Sequence, residues 1–272
     1  MYKNFGNSHR LSFEEFSSLV NSLNEGGDFT FGINWYDYVK KALTEEIIQS
    51  HIVDLGLVLE ETKIDIKGKS VFDIGCGSGL SSLSFEKLGT GSIYSIDIDP
   101  SSVRAAKYTK SKFGKNNANW IIEERSILED NFAKFDLVYS WGVLHHTGEM
   151  WKAIDIAQKS VKKGGFLYLA LYRSGSLYPR HLAEKKEFAN KDVDGKLRML
   201  YNYTGGHARI FSRDTRGMNK FHDAMDWLGG LPYEVCDPGD LDSFLSKVGF
   251  EKVFFKDSGQ GGNLIATYRR VN

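Results

Sequence analysis

The 272-residue chain is poor in several things that would narrow its function at once. It has two cysteines, Cys76 and Cys236, without metal-ligand spacing and too few for a disulfide framework. That excludes a small stapled secreted scaffold and predicts a reduced, cytoplasmic setting with no bound metal. It has four prolines and no low-complexity or linker-like tract. No apolar run approaches the ~18 residues of a membrane span, and the opening "MYKNFGNSHRLSFEEF" lacks the apolar core of a signal peptide. Charge of one sign is missing too, with 35 basic against 35 acidic side chains. A protein held to nucleic acid mainly by phosphate neutralisation is therefore disfavoured. What is present, 41% apolar and 26% charged residues, fits a soluble globular protein with an ample core.

From Ser70 onward, short β-rich runs alternate with helical patterns. "SVFDIG", "SIYSIDID", "WIIEERSI", "FDLVYSWGVL" and "GFLYLALY" read as five strands, the last from Gly165 to Tyr172. "LSSLSFEKLG" and "SSVRAAKYTKSKFG" read as helices between the first three, and Met150 to Val161 as the helix before the fifth. A helix over Gly239 to Gly249 and the runs "EKVFFKDS" and "NLIATYRR" close the chain, the two runs forming an antiparallel hairpin. The alternation predicts an α/β fold, a Rossmann-like, mostly parallel sheet covered by helices on both faces. Two regions stand outside it. Residues 1–69 read as an N-terminal helical cap containing the aromatic segment "FTFGINWYDYV", and 70–272 as the main domain carrying an insertion at 173–238. Positions 173 to 222 hold eleven Lys/Arg against five Asp/Glu, and three of the seven histidines. A lid or substrate-binding insertion accounts for this, because ligands sit beyond the carboxyl ends of parallel strands. The competing reading is a solvated helical excursion.

The loop "GCGSG" places glycines at 75, 77 and 79, with Asp73 just ahead in the strand. A dinucleotide loop has its third glycine where Leu80 stands here. Glycines admit a ligand close to the backbone, and Asp97, eighteen residues past Gly79, is placed to accept ribose hydroxyls. An adenosine cofactor follows, and Asp73 helps choose which. Like charges at ~4 Å cost roughly 4 kcal/mol at an effective dielectric of ~20, so a pyrophosphate fits poorly and a cationic amino-acid cofactor fits well.

In order along the chain, "VFDIGCGSG", "SIDIDP", "FDLVYSWGVLHH" and "VKKGGFLYLALY" resemble the successive motifs of class I S-adenosylmethionine-dependent methyltransferases. The resemblance spans about residues 65 to 172 and implies a seven-stranded sheet with an antiparallel last strand. It implies that Asp73, Gly75, Cys76, Gly77 and Gly79 wrap the methionine part and ribose, with Asp97 on the ribose and Ile98 on the adenine. Ser126 and Ile127 fall where the family contacts the adenine edge, although many members have an Asp where Ser126 stands. Ser140 and Trp141 end the fourth strand beside the methionine. Arg216 to Glu234 resembles a bacterial group associated with surface-polysaccharide biosynthesis.

Chemistry that acts on a hydroxyl is helped by a base, and "LHH" places His145 and His146 at the active-site end of the sheet. Adjacent residues point differently, so His146 is the expected base and His145 the structural member; His222 is a further candidate. Tyr203, His207, Arg209, Arg213 and Arg216 are the expected acceptor-binding residues, and the arginines point to an anionic acceptor such as a phosphorylated or carboxylated sugar. Trp35 is placed to close over the cofactor, or to pack within its helix. O-methylation of a small molecule or sugar is the leading expectation. A quinone- or lipid-like acceptor, an NAD-linked oxidoreductase and a non-catalytic cofactor-binding module are the alternatives.

Overall fold

The computed structural model describes residues 31–115, 119–205, 220–259 and 262–272. Two helices come first, α1 (Phe31–Lys41) and α2 (Glu45–Glu61). Thr44 caps α2 by accepting from Ile47 N at 3.3 Å, and Glu45 and Glu46 oppose the positive end of its dipole. The alternating region follows: β1 (Ser70–Ile74), α3 (Leu80–Lys87), β2 (Ser92–Asp97), α4 (Pro100–Phe113), β3 (Trp120–Glu124), β4 (Phe135–Trp141), α5 (Met150–Lys159) and β5 (Val161–Tyr172). Three insertion helices, α6 (Tyr178–Asn190), α7 (Val193–Tyr203) and α8 (Lys220–Gly229), precede α9 (Pro238–Lys247), β6 (Phe250–Asp257) and β7 (Asn263–Arg270). Among the described residues no helix is long and apolar enough to cross a membrane.

The seven strands lie in the order β3-β2-β1-β4-β5-β7-β6. β1 to β5 pair in parallel, whereas β7 runs antiparallel to both β5 and β6. This is the Rossmann-like arrangement, with chain order reversing between β1 and β4. Side chains alternate across the sheet: Val71 and Leu137 enter one apolar layer with α2 and α3, and their neighbours Phe72 and Val138 enter the other with α5 and α9. A third cluster joins Phe188, Leu200 and Phe221 of the insertion, with Ile33 of α1 packed against it.

Strand boundaries depart most from the sequence reading at the end of β3, at the end of β4, which stops at Trp141 instead of Leu144, and at the start of β5. β3 ends at Glu124: the Arg125 N bond to the Asp97 carbonyl at 2.9 Å is the last rung of its ladder with β2, and beyond it Ser126 Oγ accepts from Leu128 N in a local turn. β5 begins at Val161, which pairs with Phe135; Gly164, at φ +77°, then absorbs a register shift before Phe166 meets Leu137. The sequence predicts a helix ending at Val161 and a strand starting at Gly165, whereas "VKKGG" is the bulged start of the strand.

Candidate functional site

A cavity of about 940 Å³ runs across the carboxyl ends of β3, β2, β1, β4 and β5. Short loops fix its floor. After β1 the chain enters Gly75–Gly79, and Gly77 adopts φ +49°. A Cβ at Gly77 would lie 3.2 Å from Trp35 Nε1, so the indole of α1 stands directly against this loop. Gly79 serves a different purpose. Its Cβ would meet the Ala106 backbone at 2.8 Å, so it sets the approach of α3 to α4 and does not line the cavity.

The electrostatics of the floor are set by two aspartates. Asp73 is 2% exposed, and its Oδ2 accepts from Ser82 Oγ. Ser82 in turn meets Ser95 Oγ at 2.7 Å, and Trp120 Nε1 donates to Ser95 at 2.8 Å. Because the indole can only donate, the chain of hydrogen bonds runs one way, from Trp120 through Ser95 and Ser82 to Asp73. Asp97 Oδ2 accepts from Gly77 N at 2.9 Å and its Oδ1 from Asp99 N at 3.0 Å. No lysine or arginine pairs with either acid among the described residues. Burial, with the neighbouring Asp97 charge adding to it, pushes Asp73 up to about 7; burial pushes Asp97 up to about 6 against its backbone donors. This floor is a pair of poorly compensated acids whose ionised forms a cationic ligand would stabilise.

The remaining wall of that end fits an adenosine. Ile98 is 71% exposed beside Asp97, and Ser126 and Ile127 border the same cavity. Ser126 Oγ is engaged with Leu128 N at 3.1 Å. Cys76 lines the cavity, but burial and the two acids push its thiol well up, so it is inert filler. Trp141 also lines the cavity and stacks on Tyr168 at 6.1 Å. Ser140 is 1% exposed, donates to the Ile74 carbonyl at 3.4 Å and does not reach the cavity. An outward-facing Trp141 requires its strand neighbour to turn inward.

At the β5 end the histidines part company. His146 lines the cavity; its Nδ1 donates to the Pro232 carbonyl at 2.7 Å, leaving Nε2 as the acceptor. Burial, aided by the Lys185 charge and resisted by that bond, holds it down at about 4. It is therefore a neutral ring at neutral pH and a weaker base than its sequence position implies. His145 is fully buried, accepts from Tyr172 N at 3.3 Å and does not line the cavity. His222 is buried as well, with Nε2 3.2 Å from Asp37 Oδ2; it joins α8 to α1 instead of facing the cavity.

The insertion contributes Tyr203, Asp223, Asp226, Trp227 and Leu231 to the wall. His207, Arg209, Arg213 and Arg216 lie outside the described residues. The described part of the insertion thus brings acids and aromatic rings to the cavity, where the sequence pointed to a basic surface. Asp226 and Asp223 were missed by sequence reasoning; the signal was their three-residue spacing on an amphipathic helix, which puts both on one face. Among the described residues no cluster of three or more metal-ligating side chains occurs.

Residues 72–167 match the family model described as a methyltransferase domain. Among curated proteins, the chain is 34% identical over 116 residues to the ribosomal protein L11 methyltransferase of Staphylococcus saprophyticus, covering 42% of this chain and 34% of that one. It is 29% identical over 154 residues to the ribosomal protein L11 methyltransferase of Leptospira interrogans, covering 56% and 44%. The matched stretch thus spans about a third to a half of these relatives' length. Among solved structures, magnesium protoporphyrin IX methyltransferase from Synechocystis PCC 6803 with bound SAH superposes with a TM-score of 0.54 at 15% identity, covering 93% of both chains. An S-adenosylmethionine-dependent methyltransferase from Mesorhizobium loti gives 0.51 at 14% identity, covering 79% and 96%. These two likenesses establish the fold.

Proposed function

We propose that this chain, a member of the class I S-adenosylmethionine-dependent methyltransferases through the domain at residues 72–167, methylates a hydroxyl of a small molecule or sugar. The carrying observation is the pair of buried Asp73 and half-buried Asp97 beside a glycine loop, neither of them paired with a cationic side chain among the described residues. A cofactor with an ammonium group completes Asp73, and the ribose hydroxyls complete Asp97. Gly77 lets the Trp35 indole approach the loop, and exposed Ile98 offers an apolar face to the adenine. S-adenosylmethionine supplies a methyl group on a sulfonium, an electrophile reactive enough that alignment is the protein's main task.

The chain's own residues divide that task. Residues 31–61 act as a helical cap that places Trp35 over the loop, and 173–238 form the acceptor-side insertion. His146, neutral and tautomerically fixed by Pro232, orients the acceptor hydroxyl by accepting its hydrogen bond at Nε2. Trp227, Tyr172 and Tyr203 offer ring faces, and the acids of α8 offer acceptors, the combination that suits a polyol. These acids oppose an anionic group at the β5 end; an anion would have to meet Arg209, Arg213 or Arg216 instead.

Calorimetric titration with S-adenosylmethionine and with NAD tests the cofactor. Binding is expected for the first and lost in Asp97→Ala; binding of NAD alone overturns the reading. Methyl-labelled cofactor offered to monosaccharides, sugar nucleotides and a ribosomal extract tests the acceptor. Label confined to protein would reject the small-molecule reading.

A further inference from the structure

Helix α1 touches both ends of the cavity. Towards the cofactor end, Gly32 N donates to Asp99 Oδ2 at 2.8 Å and the Trp35 indole stands against Gly77. Towards the acceptor end, Asn34 Nδ2 donates to Asp226 Oδ1 at 2.6 Å and to the His222 carbonyl at 2.9 Å, while Asp37 meets the His222 ring. Asn34 and Trp35 are consecutive, so they leave the helix about 100° apart, one facing α8 and the other the loop. A rigid helix cannot shift one without the other.

Asn34 is completely buried, and both protons of its amide are used while Oδ1 has no partner. A buried polar group left half satisfied is costly, and its placement here serves α8 and its carboxylate before it serves itself. Asp226 has no lysine or arginine within ion-pair distance among the described residues, and burial pushes its carboxyl up. The Asn34 amide is the donor that fixes where this carboxylate sits on the cavity wall.

We propose that Asn34 is a positioning residue that couples the two ends. A cofactor held beneath Trp35 fixes α1, and α1 through Asn34 fixes Asp226 and α8, so the acceptor end is completed by cofactor binding. This rests on the cofactor reading above. Linkage makes the effect reciprocal: an acceptor seated against α8 tightens the cofactor by the same factor.

Hydrogen exchange of the full chain with and without S-adenosylhomocysteine tests it. In the wild type the cofactor product slows exchange at residues 75–80 and, several-fold, at residues 220–229. Asn34→Ala and Asp226→Ala are expected to keep the first effect and lose the second. Asp226→Asn, which retains an oxygen for the Asn34 amide, is expected to keep both. A purely structural role for Asn34 would instead raise exchange with or without ligand, leaving the ligand-dependent slowing intact. The proposal is overturned if residues 220–229 ignore the ligand in the wild type, or respond equally in Asn34→Ala. Absence of any binding heat with the wild type would sink the cofactor reading, and this proposal with it.

Discussion

If Asp73 and Asp97 await a cationic ligand, cofactor binding must release protons, and its affinity must depend on pH in a specific way. In the ligand-free protein the two acids titrate at about 7 and about 6, against an ordinary value of 3.8. Both shifts are upward, so the folded state holds protons that the unfolded state has lost. The stability of the free protein therefore falls as pH rises from about 4 to about 7, and the penalty is complete above that range. For fully buried Asp73 the displacement of about 3 units corresponds to at most roughly 4 kcal/mol.

An ammonium-bearing ligand reverses the balance by favouring the ionised acids. Affinity for S-adenosylhomocysteine should climb from pH 5 to 7, by as much as about tenfold per unit for each proton released. It should level off near 7 and decline where the ligand's own amine loses its proton, at about 8. Calorimetry in buffers of different ionisation enthalpy reads the proton count directly. Asp73→Asn removes one released proton and weakens binding about 10- to 100-fold, a fraction of the roughly 4 kcal/mol available to opposite charges at ~4 Å. Adenosine, which lacks the amine, should show a much flatter profile. Affinity independent of pH between 5 and 7, or an unchanged proton count in Asp73→Asn, would refute the electrostatic argument for this cofactor.

Three further outcomes follow from the geometry. Trp120→Phe removes the donor that starts the hydrogen-bond chain to Asp73, so the acid holds its proton more tightly and the pH limb of binding moves up by about half a unit to one unit; an unmoved limb in the same calorimetry counts against the chain. Gly79→Ala places a Cβ 2.8 Å from Ala106 at φ +75°, which should cost about 2–3 kcal/mol and lower the melting temperature by roughly 5–10 °C, with cofactor affinity retained in the surviving folded protein. His146→Gln should slow methyl transfer without weakening cofactor binding. Because the ring titrates at about 4, the wild-type rate profile should show no His146 inflection near 6.5, and one that vanishes in His146→Gln would contradict the fixed neutral tautomer.

The sheet was legible because its signals are local. Alternation of β-rich runs with helical spacing predicts the parallel order, and the run "NLIATYRR" is matched by β7 to the residue. The positions of the acids were legible for the same reason: Asp73 is the penultimate residue of β1 and Asp97 the last of β2, strands that pair directly. Other features depended on distance in sequence. Nothing near Gly79 announces that its neighbour is Ala106, so a packing glycine read as a ligand glycine. Nothing near His222 announces Asp37, which is 185 positions away. Likewise, the expected base at His146 is weakened by burial, which the Pro232 bond only partly offsets, and a titration value for free histidine contains neither. The net basic count over 173–222 includes Arg209, Arg213 and Arg216, which lie outside the described residues, and it does not extend to the residues of α8 that meet the cavity, Asp223, Asp226 and Trp227.

That difference in range also separates the two ends of the cavity physically. The cofactor end is made by residues that immediately follow β1 and β2, so the backbone ladders of four parallel strands hold its geometry. The acceptor end is made where α1 and α8 meet, segments nearly 190 residues apart, and side-chain contacts such as the Asn34 amide and the Asp37–His222 pair join them. Ladder hydrogen bonds are cooperative and costly to change, whereas a side-chain bridge can be altered by one substitution. The acceptor end can therefore be re-aimed without disturbing the floor that holds the methyl donor. A substitution at Asn34, which does not itself line the cavity but holds Asp226 that does, should change which acceptors are used before it changes how tightly the cofactor is held.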